Sequence, residues 1–189
     1  MLEELIIAGF GGQGVLSMGM TLAYAGMVEK KEISWMPSYG PEMRGGTANC
    51  MVVISSNKIS SPISSMFDTA IVLNQPSMDK FAPRVKPGGL LLYESETILK
   101  PSKRADIDMI GIAATTEALK LKAPKAMNMI ILGAYLQLRH VVAIESILEG
   151  LKKVLPEKYH HLLAINEKAL ERGEELVWSE MREGVMIVC

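Results

Sequence analysis

The sequence predicts an α/β fold in which helices cover both faces of a central sheet, giving three layers in the order α/β/α. Two patterns support this class. In the first half, short runs of branched apolar residues alternate with helix-like segments, which is typical of a mostly parallel or mixed sheet. The second half consists mainly of longer helix-like segments, so a helical C-terminal half is expected.

The elements of the first half follow from local composition. The opening run "ELIIAGF" is continuously apolar, as expected of a buried strand, and residues from about Gly14 to Lys31 predict a helix. A short strand "EISWM" follows, which Pro37 is expected to end, and "PSYGPEMRGGT" has the prolines and glycines of a loop. The remaining elements are expected, in order, as the strand "ANCMVVIS", the turn "SNKISSP", the strand "DTAIVLN", a helix near 77–84, a "KPGG" turn and the strand "LLLYES".

The second half adds one strand and several helices. "IDMIGIAA" predicts the last strand, and "TTEALKLKA" begins helical structure that Pro124 interrupts. Further helices are expected in "AMNMIILGAYLQLR", "AIESILEGLKKVL" and "EKYHHLLAINEKALERGEELV". The chain shows neither a linker nor an internal repeat, and 189 residues suit one well-filled core, so we expect a single domain over residues 1–189.

Two features favour protein partners. The tail "EGVMIVC" is apolar after a charged helix and is expected either to add a strand or to dock on a partner. The 14 methionines are many for this length. They indicate mainly core packing, and flexible methionine side chains also suit protein–protein surfaces. The isolated chain is expected to self-associate through surfaces that partners normally cover.

Composition and charge exclude several classes of partner. Hydrophobic residues make up 49% and charged residues 22% of the chain, as in an ordinary globular protein. The net charge of -1 gives no electrostatic reason for binding nucleic acid or an anionic membrane. No apolar run approaches the roughly 20 residues that span a bilayer, and the acidic start "MLEELIIAGF" does not resemble a signal peptide. The chain is therefore expected to be cytoplasmic.

No metal site is expected from the cysteines and histidines. Cys50 and Cys189 cannot supply the set of thiolates that an iron–sulfur cluster takes, and no C-x-x-C pair exists. The three histidines, His140, His160 and His161, have no metal-site spacing with them. Cys50 lies in an apolar run and is expected to be a buried core thiol.

A glycine-rich turn follows the first predicted strand, in "IIAGFGGQGV". Gly9, Gly11 and Gly14 fit the pattern G-x-G-x-x-G, which predicts a Rossmann-like first turn between a strand and a helix. An NAD site also needs an acidic residue at the end of the next strand, to accept the ribose hydroxyl. That strand is expected to end in "MPS", so an autonomous NAD- or FAD-binding dehydrogenase domain is the weaker alternative.

A glycine turn that opens a helix has a more general use. It points backbone N–H groups outward beside the positive end of the helix dipole, so it can hold a phosphate, a carboxylate or an acidic group of another protein. Gln13 adds an amide that donates and accepts. Two alternatives stay open: the glycines only let the helix and strand pack closely, or the turn belongs to a small regulatory module that senses an acidic ligand.

A second glycine-rich loop carries further polar groups. In "PSYGPEMRGGTANC", Tyr39 offers a ring and a hydroxyl, Glu42 a carboxylate, and Arg44 a planar guanidinium suited to anions. If "EISWM" neighbours and parallels the first strand, both loops meet at one crevice. The alternative is a surface loop with an internal Glu42–Arg44 pair. The candidate residues for cofactor binding or an interface are Gly9, Gly11, Gly12, Gln13, Gly14, Ser38, Tyr39, Gly40, Glu42, Arg44, Gly45 and Gly46, with no catalytic residue and no metal ligand.

Together, "GFGGQGV" and "SYGPEMRGGTANC" resemble the gamma subunit of the 2-oxoacid:ferredoxin oxidoreductases. These enzymes act on pyruvate, 2-oxoglutarate, branched-chain 2-oxoacids or indolepyruvate, in anaerobic metabolism. The resemblance extends through "DTAIVLNQPSMDKF" and "VKPGGLLLYES", so it covers the first half of the chain closely. The combination of "YGPEMRGG" with "GGQG" is far more specific than a lone glycine motif.

The resemblance implies a subunit of an enzyme that converts a 2-oxoacid, coenzyme A and oxidised ferredoxin into acyl-CoA, carbon dioxide and reduced ferredoxin. Thiamine diphosphate, Mg and 4Fe–4S clusters are then expected on partner subunits, namely alpha, beta and a ferredoxin-like delta subunit. The chain alone is expected to be inactive. The resemblance places coenzyme A near a subunit interface, where the Gly11–Gly14 turn and Arg44 either bind its phosphates or contact a partner subunit.

Overall fold

The computed structural model describes residues 1–39 and 46–182, with the side chains of all of them except Tyr39 and 179–182. Over this part of the chain, a six-stranded sheet is combined with six α-helices. The strands are β1 (Leu2–Phe10), β2 (Glu32–Tyr39), β3 (Thr47–Ser55), β4 (Phe67–Val72), β5 (Val85–Glu94) and β6 (Asp108–Ile112). The helices are α1 (Val15–Val28), α2 (Gln75–Phe81), α3 (Ala114–Lys120), α4 (Met127–Arg139), α5 (Ile144–Val154) and α6 (Leu163–Arg182). Short 3-10 turns lie at Ala82–Arg84, Pro124–Ala126 and Glu157–Leu162.

The sheet is mixed, with the strand order β2-β3-β1-β4-β5-β6. Strands β1, β4, β5 and β6 run parallel to one another, whereas β3 is antiparallel to both of its neighbours, β2 and β1. Every strand except β3 therefore ends at the same edge of the sheet, and β3 begins there. We call this side the C-terminal edge, where the loops that follow parallel strands meet in open α/β sheets.

The strand β2 runs parallel to β1 but is not its neighbour. β3 lies between them, pairing along its whole length with β1, from Leu2↔Ser55 to Phe10↔Thr47. The two glycine loops were expected to meet if β2 was both parallel to β1 and next to it. β2 is parallel to β1, but it is not its neighbour. The composition of the two strands explains the order: β3 has long buried stretches and suits an inner position, whereas β2 contains Pro37.

Pro37 does not end its strand, so that expectation is wrong. β2 continues to Tyr39 and pairs only with β3, which makes it an edge strand. Proline lacks a backbone N–H, and an edge strand has one side on which no ladder hydrogen bond is needed. The proline is therefore accommodated within the strand.

Two further boundaries differ from the expected ones. The helix expected near 77–84 begins at Gln75, because the Asn74 side chain caps it by accepting a hydrogen bond from Ser77 N at 2.9 Å, and a 3-10 turn replaces its last residues. The "KPGG" segment is not a separate turn but lies inside β5, where the pairing with β4 shifts register. Gly88 has φ +73°, a conformation that glycine adopts readily.

The layers on the two faces of the sheet differ in extent. One face is covered by α1, α3, α4, α5 and α6, which share a large apolar core with residues such as Leu5, Cys50 and Ile71. The other face packs against α2, the adjoining 3-10 turn and the segment that carries Ile98 and Ile107. The predicted α/β/α layering is confirmed, with one outer layer much thinner than the other.

Close helix packing depends on glycines. A Cβ atom on Gly133 of α4 would lie 2.0 Å from the carbonyl oxygen of Leu170 in α6, and one on Gly173 would lie 2.0 Å from that of Ile130. These distances are far below van der Waals contact, so α4 and α6 touch backbone to backbone. Gly150 plays the same part between α5 and α1, where a Cβ would lie 2.6 Å from Thr21 O.

The core is apolar and includes the expected thiol. Cys50 is fully buried, and burial raises its pKa to about 12. Met18, Met78 and Met129 are buried as well, whereas Met27 is largely exposed, so the methionines serve both the core and the surface. Within residues 1–39 and 46–182, none of the helices has the length and apolar character needed to cross a bilayer.

Candidate functional site

The glycine turn joins the end of β1 to the start of α1. Gly12 and Gly14 have φ values of +98° and +78°, in the left-handed region that a side chain disfavours. Gly14 occupies the N-cap position of α1, so no side chain caps this helix, and its first turn contains no acidic residue. The start of α1 therefore presents backbone N–H groups that no side chain of its own cap satisfies.

Gln13 is held by the chain itself. Its Oε1 accepts a hydrogen bond from Phe10 N at 2.6 Å, and its Nε2 donates to Leu73 O at 3.1 Å. The backbone N–H of Gln13 also donates to Phe10 O at 3.2 Å. Gly9 makes room for this arrangement, since a Cβ there would lie 2.7 Å from Gln13 Oε1. The amide thus ties the turn to the end of β4.

The two glycine loops meet at the C-terminal edge. Gly11 N donates to Gly46 O at 3.0 Å, because Phe10 pairs with Thr47 and brings the start of β3 beside the turn. Ser38 lies exposed near the end of β2, and the backbone of Tyr39 ends that strand.

Several candidate residues of the second loop are not among the residues that the structure describes. Gly40, Glu42, Arg44 and Gly45 lie outside the described residues, as does the side chain of Tyr39. The residues that are described and brought together are Gly9, Gly11, Gly12, Gln13, Gly14 and Gly46.

An open pocket of about 370 Å³ lies beside the turn. Among the described residues, its walls combine apolar side chains with the backbone of the turn and of the first helical residues, and none of the described lining side chains is charged. The lining residues are Phe10, Gly11, Gly12, Gly14, Val15, Leu16, Ser17, Gly46, Thr47 and Ala48. Such a pocket suits a ligand or side chain that is partly apolar and carries an anionic or carbonyl group for the backbone donors.

Asn128 supports the turn from the side of α4 and was not among the sequence candidates. The side chain is buried, and its Nδ2 donates to Gly14 O at 3.4 Å. A Cβ on Gly14 would lie 2.4 Å from the same Nδ2, so the two residues are in direct contact. The available signal was an isolated amide within the apolar run "MNMIILGA".

Elsewhere along the C-terminal edge, the chain's own carboxylates occupy the backbone donors. Glu94 is fully buried and accepts from the backbone N–H groups of Thr97 at 2.7 Å and of Thr115 at 3.3 Å. Glu96 accepts from Thr116 N at 2.7 Å, and hydrogen bonds from Thr116 lower the pKa of Glu96. The backbone N–H groups at the start of α3 are thus hydrogen-bonded to carboxylates of the same chain, in contrast to those at the start of α1.

A second polar cluster lies at the opposite edge of the sheet. The buried carboxylate of Glu3 accepts from Thr69 Oγ1 at 2.6 Å and from Tyr135 OH at 3.3 Å, and Arg139 Nε donates to the same threonine oxygen. Burial raises the pKa of Glu3 and raises that of Tyr135 well above 10. This cluster links β1, β4 and α4. It lies away from the pocket, and its role is structural.

The geometry does not meet the requirements of a dinucleotide site. On the side of β1 that faces away from β4, the neighbouring strand is the antiparallel β3, so no parallel strand end lies directly beside β1 there to carry an acid toward a ribose. Glu29 is used elsewhere: its Oε1 accepts from Ala143 N at 2.6 Å and its Oε2 lies 2.8 Å from Lys31 Nζ. Glu32 lies at the start of β2, at the far end from the turn.

In the described part of the chain, no group of three His, Cys, Asp or Glu side chains is arranged to hold a metal ion. The histidines have structural surroundings instead. His160 Nε2 lies 3.0 Å from Leu155 O, and His161 Nδ1 lies 2.9 Å from Lys158 O, both near the surface.

Comparison with known families gives a match over most of the chain. Residues 4–176 match the pyruvate ferredoxin/flavodoxin oxidoreductase family. The matched range includes both glycine loops, all of the sheet except the first two residues of β1, and most of the helices.

Curated relatives are similar in sequence. The chain is 42% identical over 170 residues to ketoisovalerate oxidoreductase subunit VorA of Methanothermobacter thermautotrophicus. The aligned region covers 89% of this chain and 35% of that protein. It is 35% identical over 184 residues to 2-oxoglutarate synthase subunit KorC of Methanocaldococcus jannaschii, covering 93% of the chain and 96% of that subunit. The chain therefore spans about a third of the length of VorA and nearly all of KorC.

Solved structures share the fold. The gamma subunit of a keto/oxoacid ferredoxin oxidoreductase from Geobacter sulfurreducens superposes with a TM-score of 0.79 at 27% identity, covering 94% of this chain and 99% of that one. A 2-oxoglutarate:ferredoxin oxidoreductase from Magnetococcus marinus, solved with 2-oxoglutarate, coenzyme A and succinyl-CoA bound, superposes with a TM-score of 0.85 at 24% identity. That match covers 94% of this chain and 31% of the other.

Proposed function

This chain belongs to the pyruvate ferredoxin/flavodoxin oxidoreductase family, and we propose that it acts as the gamma subunit of a 2-oxoacid:ferredoxin oxidoreductase. The complex oxidises a 2-oxoacid with release of carbon dioxide, transfers the acyl group to coenzyme A and reduces ferredoxin. The similarity to KorC and VorA supports this assignment, as does the shared fold with the gamma subunit from Geobacter sulfurreducens.

The cofactors of the reaction belong to partner subunits in this proposal. The whole chain has two cysteines, too few for a cluster, and its sequence lacks the G-D-G stretch that supports thiamine diphosphate and Mg. Alpha and beta subunits and a ferredoxin-like delta subunit therefore carry thiamine diphosphate, Mg and the 4Fe–4S clusters. The complex is cytoplasmic, and this chain alone has no oxidoreductase activity.

We assign the pocket at the glycine turn to part of the coenzyme A site. The observation that carries this assignment is the open start of α1, where uncapped backbone donors face an apolar pocket of about 370 Å³. Coenzyme A combines phosphate groups with a long pantetheine arm, so backbone N–H groups and apolar walls suit its two parts. The enzyme from Magnetococcus marinus, which shares this fold, was solved with coenzyme A bound.

The chain's own part in the reaction is binding and orientation. Backbone N–H groups of the turn and of Val15 to Ser17 hold an anionic group, while Phe10 and Leu16 contact the apolar arm. Arg44, which follows in the second loop of the sequence, supplies a guanidinium for a further phosphate contact. These contacts direct the thiol of coenzyme A toward the acyl intermediate on a partner subunit.

A partner subunit is the second candidate occupant of the pocket. The hydrogen bond between Gly11 N and Gly46 O would then hold the two loops in a fixed surface against which a catalytic subunit packs. The exposed Phe10 side chain favours such a contact, as do the uncharged side chains of the other described residues that line the pocket.

Ser17→Glu distinguishes these occupants. Ser17 is the third residue of α1, where glutamate is well accepted and its charge favours the helix. A carboxylate in the pocket repels a phosphate, so the Michaelis constant for coenzyme A in the assembled enzyme should rise about tenfold with little change in turnover. Arg44→Ala should raise the same constant, since it removes a cation.

Ala164→Glu is the matched control, because it adds the same charge to the first turn of α6, at an exposed position away from the pocket. It should leave the Michaelis constant unchanged. If Ser17→Glu instead prevents assembly of the complex, the pocket is a subunit interface. If it changes neither assembly nor kinetics, the pocket has no part in the enzyme.

A further inference from the structure

Both polar atoms of the Gln13 amide are hydrogen-bonded within the chain itself. Its oxygen accepts from Phe10 N at 2.6 Å and its nitrogen donates to Leu73 O at 3.1 Å, so the side chain spans from the end of β1 to the residue after β4. Leu73 O also accepts from Thr97 Oγ1 at 3.0 Å. A side chain used in this way shapes the turn rather than contacting a ligand.

Asn128 contacts the other end of the turn. Its Nδ2 donates to Gly14 O at 3.4 Å, from a position on α4 that is 8% exposed. Gly14 has φ +78° and gives α1 its uncapped start. The turn is therefore held between Gln13, which reaches β4, and Asn128, which reaches from α4.

Glycine-rich segments have many accessible conformations, so a fixed turn needs external contacts to keep its N–H groups aimed at one place. We propose that Gln13 and Asn128 are positioning residues that hold the Gly11–Gly14 turn in the open form that the coenzyme A pocket requires. This inference rests on the proposed function of the pocket, and it assigns to Gln13 a contact with the backbone and not with the ligand.

Amide hydrogen exchange of the full chain tests the positioning directly. Gln13→Ala and Asn128→Ala should each make the amides of residues 11, 13 and 18, which are hydrogen-bonded within the turn, exchange about tenfold faster relative to those of β4, because one anchoring hydrogen bond is lost. Thr97→Val is the control, since it removes the other donor to Leu73 O without touching the turn. Gln13→Met and Asn128→Leu, which remove the hydrogen bonds without adding a charge and keep most of the side-chain volume, serve where an alanine variant does not fold.

The assembled enzyme supplies the second readout. Both variants should raise the Michaelis constant for coenzyme A while turnover changes little, and Thr97→Val should leave that constant unchanged. Turn exchange that rises no more than in Thr97→Val, or only in step with β4, overturns the inference. Faster turn exchange with an unchanged constant supports the positioning role and rejects coenzyme A as the occupant of the pocket.

Discussion

Gly11 donates its backbone N–H to the carbonyl oxygen of Gly46 over 3.0 Å, which joins the two glycine-rich motifs of this sequence at one edge of the sheet. The motifs are far apart in sequence and belong to strands that run in opposite directions. Their contact creates a wall of the pocket at the start of α1. The specific pairing of the motifs therefore has a structural reason, because each helps to form the other's surroundings.

The contact between α4 and α6 predicts a large loss of stability in Gly133→Ala. The new Cβ would lie 2.0 Å from the carbonyl oxygen of Leu170, and two packed helices cannot separate without losing core contacts. We expect the free energy of unfolding to fall by about 3 kcal/mol, despite the gain of about 1 kcal/mol in helix propensity. Urea unfolding measures the change.

Gly26→Ala is the matched control for that substitution. Its Cβ would lie 2.3 Å from Cδ1 of Ile33, the mobile end of a side chain, which can change its rotamer. The cost should stay below about 1 kcal/mol. Equal effects of the two substitutions would show that backbone contact does not set the α4–α6 distance.

The buried Glu3 carboxyl predicts a pH-dependent stability. Burial raises the pKa of Glu3 above 4.5 and outweighs the hydrogen bonds from Thr69 and Tyr135 and the charge of Arg139, so the folded state binds the proton more tightly than the unfolded state. The resulting stabilisation is complete below pH 4.5 and is lost as the pH rises through the raised pKa. Glu3→Gln is neutral at every pH, so the stability of the original chain relative to this variant should decrease from pH 5 to pH 8.

Urea unfolding of both proteins at the two pH values measures this difference. The comparison cancels the carboxyl groups that do not interact with Glu3. A stability difference that is constant or grows with pH would show that Glu3 is ionised in the folded chain.

The ion pair between Glu117 and Arg172 predicts the opposite dependence. Glu117 has a side chain 8% exposed and contacts Lys120 and Arg172 at 2.7 and 2.8 Å, and the hydrogen bond from Lys120 is the main cause of its lowered pKa. Its stabilisation is present above pH 4.5 and is lost as the pH falls through the lowered pKa. Glu117→Gln should cost about 1 kcal/mol at pH 7, a small value because both cations are partly exposed, and nothing in acid.

Glu175→Gln provides the comparison, since Glu175 contacts the same Arg172 at 2.8 Å but is 65% exposed. Thermal or urea unfolding should show an effect below about 0.5 kcal/mol for this variant. An effect as large as that of Glu117→Gln would mean that burial of the carboxylate contributes nothing to the pair.

Cys50 predicts an inert thiol. With a pKa of about 12, its thiolate fraction at pH 8 is about 10⁻⁴, and the side chain is fully buried under α1. In a Cys189→Ser variant, the remaining thiol should react with a disulfide reagent only after unfolding. Complete labelling of the folded variant within minutes would indicate frequent opening of α1 over β3.

Local patterns in the sequence predicted much of this fold. The run "ELIIAGF" and the glycines after it gave the first strand, turn and helix, because apolar continuity and the glycine motif act over short distances. The order of strands did not follow from such patterns. The residues Glu32–Tyr39 do not themselves indicate that β3 lies between β2 and β1. The strand order depends on which of the two strands can bury both of its faces.

The pocket shows the same division. Gly11, Gly12 and Gly14 were identifiable because their spacing is characteristic, and Gly46 because it stands in a glycine-rich loop. Asn128 was missed because its partner lies 114 positions away and its contact depends on how α4 crosses the sheet. Gln13 was identified as a polar group of the turn, while its hydrogen bond to Leu73 became visible only once β1 and β4 were paired.

As the gamma subunit of a 2-oxoacid:ferredoxin oxidoreductase, this chain should be found in cells as part of a larger complex. The most direct measurement isolates the tagged chain from its native cells without oxygen and assays ferredoxin reduction with pyruvate, 2-oxoglutarate or ketoisovalerate. We expect a multi-subunit complex that reduces ferredoxin with one of these acids only when coenzyme A is present, while the chain purified alone is inactive. Recovery of the chain without partner subunits, together with stoichiometric NAD binding, would contradict it.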